Sequence, residues 1–164
     1  MTLTALIPSL RTSIPDPLDP DAWPGRTHAS TTDVVVAGVS LTRLVEVCGT
    51  PCVHVGAAVV RGTGGCPSVL EQGTAVVVGV VAVTTGADGE RRVLVDGRLD
   101  AVPAVLGELR LLGRASAACA RPAIVTGPGE GVGDGVQAVL PRDLRPGDLL
   151  AFPCAGALPL RALR

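Results

Sequence analysis

Few side chains in this sequence can do chemistry, and most of them sit in turns. Glu130 lies in the run Gly127-Pro128-Gly129-Glu130-Gly131-Val132-Gly133-Asp134. Glycine-rich loops let backbone approach a ligand and leave amide N–H groups free. A carboxylate dried by a pocket in such a loop has a raised pKa and can act as general acid or base. The plainer alternative is a solvated loop glutamate. Asp134 suits the loop–strand junction as a turn former. Asp96 and Asp100 flank Gly97-Arg98-Leu99. They could join Glu130 in a two-carboxylate site, or serve as turn residues. Cys48, Cys52 and His54 have the loose spacing C-x3-C-x-H without an evident fourth ligand, so no metal is expected. Cys52 and His54 share one strand face and could form a nucleophile pair. Buried thiols beside a strand histidine are the plainer alternative, because a free cysteine packs as a small hydrophobe. Arg110, Arg114 and Arg121 could form a cationic rim for a carboxylate, or simple surface charge. The glycine-rich stretch 61–68 is followed by Pro67 and a β-rich run instead of a helix. It therefore fits a linker better than a phosphate loop.

Composition narrows the chemistry further. The 164 residues include 25 Val, 20 Leu, 21 Gly and 14 Pro, with no Lys, Asn or Tyr, one Phe and one Trp. Without lysine the chain cannot form an internal Schiff base. Without aromatic platforms, and with 14 Arg against 15 acids, it is a poor nucleic-acid reader. The missing residue types fit a GC-rich coding sequence, as in an actinobacterium. The longest apolar run, Ala75 to Val83, is far short of the roughly 20 residues of a spanning helix. Five unpaired cysteines and an N-terminus broken by Pro and Arg lead to the expectation of a soluble, cytoplasmic protein with reduced thiols.

The elements that must position these groups read as strands. Valine suits a pleated surface, and Gly and Pro mark turns about every ten residues. Residues 1–31 form a Pro/Asp-rich arm with Trp23 as its large anchor: a partly ordered tail, or an arm packed on the domain or a partner. Residues 32–160 form one domain. Strands are expected near 33–38, 52–60, 75–83, 91–95, 122–126, 135–140 and 148–152, with 104–112 either strand or short helix. Gly86-Ala87-Asp88-Gly89 makes a hairpin turn. One short helix fits residues 40–49, capped by Ser40 and stopped by Gly49. The expected fold class is all-β: a small barrel of about six to eight strands with one short helix.

The stretch 127–134, followed by Leu140-Pro141-Arg142-Asp143-Leu144-Arg145-Pro146-Gly147-Asp148-Leu149-Leu150 and Ala155-Gly156-Ala157, resembles the C-terminal β-domain of the fold type III decarboxylases. These are pyridoxal-phosphate enzymes acting on diaminopimelate, ornithine, arginine and related amino acids. Their motifs are G-P-x-C-E-S-x-D, L-P-x-L-x-x-G-D-x-L/W and D-A-G-A-Y. Gly38 to Pro51 is similar to the opening of the same enzymes, Val69 to Thr74 to their E-P-G-R stretch, and Val93 to Gly97 to the strand before their R-P-x-x-Y segment. Full-length members insert a (β/α)₈ barrel of about 250 residues between the first two segments. Here 19 residues separate Pro51 from Glu71.

The resemblance implies a stand-alone β-domain without its cofactor. The family's cysteine falls at Glu130, its phosphate-binding tyrosine at Leu158, the arginine of E-P-G-R at Thr74 and that of R-P-x-x-Y at Val102. No cofactor is expected. Two functions follow. One is a cofactor-free enzyme of cyclase, isomerase or lyase type in a specialised pathway, with Glu130, Asp134 and Asp96 as catalytic residues. Its small-molecule substrate would lie against Gly129, Gly131, Cys154 and Leu158. The other is a non-catalytic partner or scaffold, pairing with a full-length decarboxylase or another biosynthetic protein. A homodimer is expected in either case, since the family dimerises partly through this domain and loss of the catalytic barrel exposes an apolar face. Neither nucleic acid nor membrane is an expected partner.

Overall fold

Val76, Val78 and Val80 alternate with Ala75 and Val77 along one strand, and both sets are buried. A strand sends successive side chains to opposite faces, so two cores must flank it. In the computed structural model, which describes residues 2–100, 102–129 and 135–164, this strand is the spine of the fold. It runs over Pro67–Thr85 (β5) and pairs antiparallel with Cys52–Val59 (β4), Leu149–Ala155 (β10) and Arg91–Val95 (β6). Arg110–Leu112 (β7) flanks β10. Ala120–Thr126 (β8) pairs parallel with β6, and Val136–Pro141 (β9) pairs antiparallel with β8. The resulting mixed sheet has seven strands in the order β7-β10-β5-β6-β8-β9, with β4 on β5. It curls into a nearly closed barrel whose seam lies between β7 and β9. The all-β barrel expected from composition is therefore what the chain forms.

The barrel interior holds Val76, Val78, Val93, Val125, Leu140 and Phe152. Aliphatic side chains fill it, as a chain with one Phe must. The outer face of β5 carries the second core. There Ala75 and Val77 meet Trp23, Val34, Val36 and Leu41. Trp23 comes from the arm, and the others from a small sheet of Thr27–Ala29 (β1), Val34–Val36 (β2) and Val39–Ser40 (β3) and from the helix Leu41–Cys48 (α2). Ser40 caps α2 by accepting from the Arg43 N–H, and Gly49 ends it at φ 72°.

The start of the arm is helical. Leu3–Leu6 (α1) makes one helical turn capped by Thr2, and Pro8–Thr12 a 3-10 turn. Both end before the proline run begins at Pro15, which is where helix is forbidden. The arm lies on the barrel. Trp23 is 1% exposed, and its indole N–H donates to Glu108 Oε2 at 3.0 Å. Truncation of a buried tryptophan costs about 3–5 kcal/mol, so Trp23→Ala should lose that much in urea unfolding. A loss below about 1 kcal/mol would show that the second core contributes little. No helix among the described residues is long and apolar enough to cross a membrane.

Candidate functional site

The positions singled out in sequence fall into separate places. Thr74, Cys154 and Leu158 come together at the open end of β5 and β10, where Thr74 and Cys154 are register partners. The Thr74 hydroxyl donates to Gly156 O at 2.7 Å and accepts from the Leu158 N–H at 2.9 Å. A fully buried hydroxyl thereby fixes the turn that follows β10. Cys154 and Leu158 are 1% and 8% exposed and belong to the barrel core. Neither lines any of the three pockets described below.

Asp96 stands elsewhere, beyond the end of β6. Its Oδ1 accepts from the Gly79 N–H at 2.8 Å and its Oδ2 from the Thr50 hydroxyl at 2.5 Å. Only glycine fits at position 79, since a Cβ there would sit 2.9 Å from Thr50 Oγ1 and 3.0 Å from Asp96 Oδ2. This carboxylate ties the turn before β4 to the spine strand. Asp100 is exposed and accepts from Arg98 at 2.8 Å. Gly129 takes φ 79°, the left-handed backbone for which glycine is suited. Glu130, Gly131 and Asp134 lie outside the described residues.

Among the described residues no group of three or more His, Cys, Asp or Glu could hold a metal ion. Cys52 packs in the second core beside Trp23 and Val77. Burial, then the neighbouring Cys48 and Asp96, push its thiol up to about 11. Burial pushes the Cys154 thiol up to about 12. A nucleophile needs thiolate, so neither thiol is activated near neutral pH. Cys48, Cys66 and Cys119 are exposed. A disulfide thiol reagent should therefore modify those three quickly in the folded protein and the other two only on unfolding. Fast modification of Cys52 or Cys154 in the native state would contradict this burial.

The arginines divide between two pockets. Arg110 and Arg114 join Arg11 around a pocket of about 320 Å³ at the β7–β9 seam, walled on one side by arm residues Pro15 to Pro17. Arg110 donates from Nη1 to Asp16 O at 2.6 Å and from Nη2 to Pro17 O. Arg11 donates to Ala118 O at 3.2 Å. The Nε atoms of Arg11 and Arg110 are buried without a hydrogen bond. Arg11 Nε has Asp16 Oδ2 at 3.2 Å, close enough to attract but out of line. Burial lowers the Arg110 pKa, against the opposing pull of Glu108 and Asp16. These guanidinia act as staples that hold the arm across the seam. Arg121 lines a second pocket with Arg91 and Arg142.

A third feature has no counterpart in the sequence reading. β4 and β5 project as a hairpin whose turn is the glycine-rich stretch, held by Asp21 through the Gly62 and Gly64 N–H groups at 2.7 and 3.2 Å. Ala57 pairs with Gln72 and Val59 with Pro67, so residues 68–71 of β5 bulge outward opposite Ala58 alone. The Ser68 hydroxyl accepts from the Leu70 and Glu71 N–H groups at 3.2 and 3.1 Å and shapes the bulge. At its crest Val69 is 96% exposed and Leu70 is 91% exposed. Beside them opens a hollow of about 400 Å³ whose other walls include Ala57, Gln72 and Ala157. An apolar pair at a strand start reads in sequence as ordinary β-pattern; only the bulge turns it outward.

The residues at positions that the family likeness assigns to pyridoxal phosphate do not fit that group. The sequence has no lysine for an imine. Leu158 packs in the core, and the Thr74 hydroxyl is consumed by backbone.

No family model matches the chain, and no curated protein matches it. Among solved structures it is similar to a lysine decarboxylase from Selenomonas ruminantium, at 13% identity and a TM-score of 0.35. The match covers 56% of this chain and 25% of the decarboxylase, so the chain corresponds to about a quarter of that enzyme's length.

Proposed function

We propose that this chain is a non-catalytic association module, a cofactor-independent β-barrel that pairs with a second copy of itself through the β4–β5 hairpin. The observation that carries this reading is the exposed Val69-Leu70 crest beside an open hollow. A projection and a recess on one face are what a two-fold interface needs, because each copy offers the other both halves of the contact. Apolar side chains exposed together in this way mark interaction surfaces. The described polar groups give a catalytic reading little to work with. Asp96 has both oxygens engaged, and Cys52 and Cys154 are held as thiols.

Hydrogen exchange tests the location. Amides of residues 68–72 should exchange more slowly in concentrated than in dilute protein, while amides of the β5–β6 turn at 86–89 should not respond. Uniform exchange at 68–72 across concentrations would refute pairing through this hairpin.

A further inference from the structure

We infer that the groove between the β5–β6 turn and the strands β8 and β9 is a binding site for a small organic polyanion. The groove has a volume of about 470 Å³ and is lined by three arginines, Arg91, Arg121 and Arg142. Arg91 is fixed from behind: Nη1 donates to Leu140 O at 3.3 Å and Nη2 to Pro141 O at 2.8 Å. Carbonyls position a guanidinium without neutralising it, so its full charge remains. The side chains of Arg121 and Arg142 make no hydrogen bond or ion pair among the described residues.

The nearby acids do not cancel this charge. Among the described residues Glu90 is the one acid lining the groove, and its Oε2 accepts from Arg92 Nε and Nη2 at 3.2 and 3.0 Å. Asp143, which also attracts Arg91, is hydrogen-bonded to Arg114 and Ser116. Three guanidinia therefore line one concave surface on a chain whose net charge is −1. Such a concentration on a nearly neutral protein is local, not the result of a general basic excess.

The floor adds shape. Pro122 and Ile124 supply apolar surface from β8, and Gln137 an amide from β9. Planar guanidinium forks match carboxylate and phosphate oxygens two at a time. Pockets of this size take small molecules, with apolar walls holding the body and a few polar groups fixing orientation. The ligand class is an organic anion with at least two oxyanion groups and a carbon body, whether its oxygens belong to phosphates or carboxylates.

Calorimetric titration with inorganic pyrophosphate and with citrate separates the two sources. Saturable binding of either at millimolar concentration or below is expected, and the tighter of the two identifies the oxyanion type. Arg121→Ala/Arg142→Ala should weaken that binding about tenfold or more. Arg61→Ala/Arg161→Ala removes the same charge elsewhere and should leave it unchanged. The inference is overturned if neither anion binds. It is also overturned if the two double variants weaken binding equally, which would mark diffuse attraction. Both double variants alter exposed side chains, and far-ultraviolet circular dichroism confirms that each is folded.

Discussion

Arg114→Ala should be the most destabilising single change on the barrel surface, at about 3 kcal/mol near neutral pH. Asp148 is only 6% exposed at its side chain. Arg114 grips it with two bonds, Nε to Oδ1 at 2.9 Å and Nη2 to Oδ2 at 2.6 Å. The same guanidinium donates to the Asp143 carboxylate and carbonyl, both at 2.9 Å. One side chain thus fastens the turn between β9 and β10 to the segment after β7. Without it a buried carboxylate keeps the Arg145 N–H at 2.9 Å and a distant Arg145 Nε at 3.8 Å. The sign of the pH dependence follows from Asp148. Burial alone would raise its pKa, but the hydrogen bonds from Arg114 and the Arg145 N–H, and then the guanidinium charges, outweigh burial and hold it below the ordinary range. A group depressed in the folded state stabilises fully above its unfolded value of about 4 and loses that contribution as pH falls through the folded value. Arg114→Ala removes the largest interaction that opposes burial, so the Asp148 pKa rises. The gap between the two proteins in urea unfolding should therefore be widest near neutrality and narrow below about pH 4. A gap that stays constant into acid would show that the ion pair contributes no net stability.

Val69→Asp/Leu70→Asp should abolish self-association while leaving the monomer as stable as before. Both side chains lie almost wholly in solvent, so their replacement removes no folded-state packing. In the paired state two copies bury four such side chains, each contributing about 1.5–3 kcal/mol. Association costs on the order of 4–15 kcal/mol in lost freedom. The margin is narrow, and the half-exposed Val55 and Val60 on the same hairpin must add to it. Four carboxylates forced together at a two-fold axis reverse the balance, since a buried unpaired charge costs several kcal/mol.

Much of the fold was legible from local chemistry. Ser40 and Gly49 bound α2 because capping is decided within one turn of chain. The Gly86–Gly89 turn sets the β5–β6 hairpin for the same reason, and the stretch 104–112 proved to be both of its alternatives, a 3-10 turn over Leu106–Glu108 followed by β7. The nearly unbroken apolar run Ala75 to Val83 suits a strand buried on both faces, but nothing local names what covers it: the partner of its outer face is Trp23, more than fifty residues earlier. The docking of the arm was illegible because it rests on bonds such as Arg110 to Asp16 O, 94 residues apart. Periodicity carries no signal at that range. The chemical candidates were harder still. Asp96 reads as a possible acid, and its bonds depend on Gly79 and Thr50 arriving from two other segments. The bulge at 68–71 escapes sequence because it reflects register against β4, not the residues within it.

Sedimentation equilibrium of the wild-type chain and of Val69→Asp/Leu70→Asp, over a concentration range spanning the micromolar, decides whether the hairpin pairs two copies. A reversible dimer is expected for the wild type and a monomer at every concentration for the variant, with unchanged unfolding midpoints extrapolated to dilute protein. A wild type that stays monomeric throughout, or a variant that dimerises as well as the wild type, would contradict that pairing.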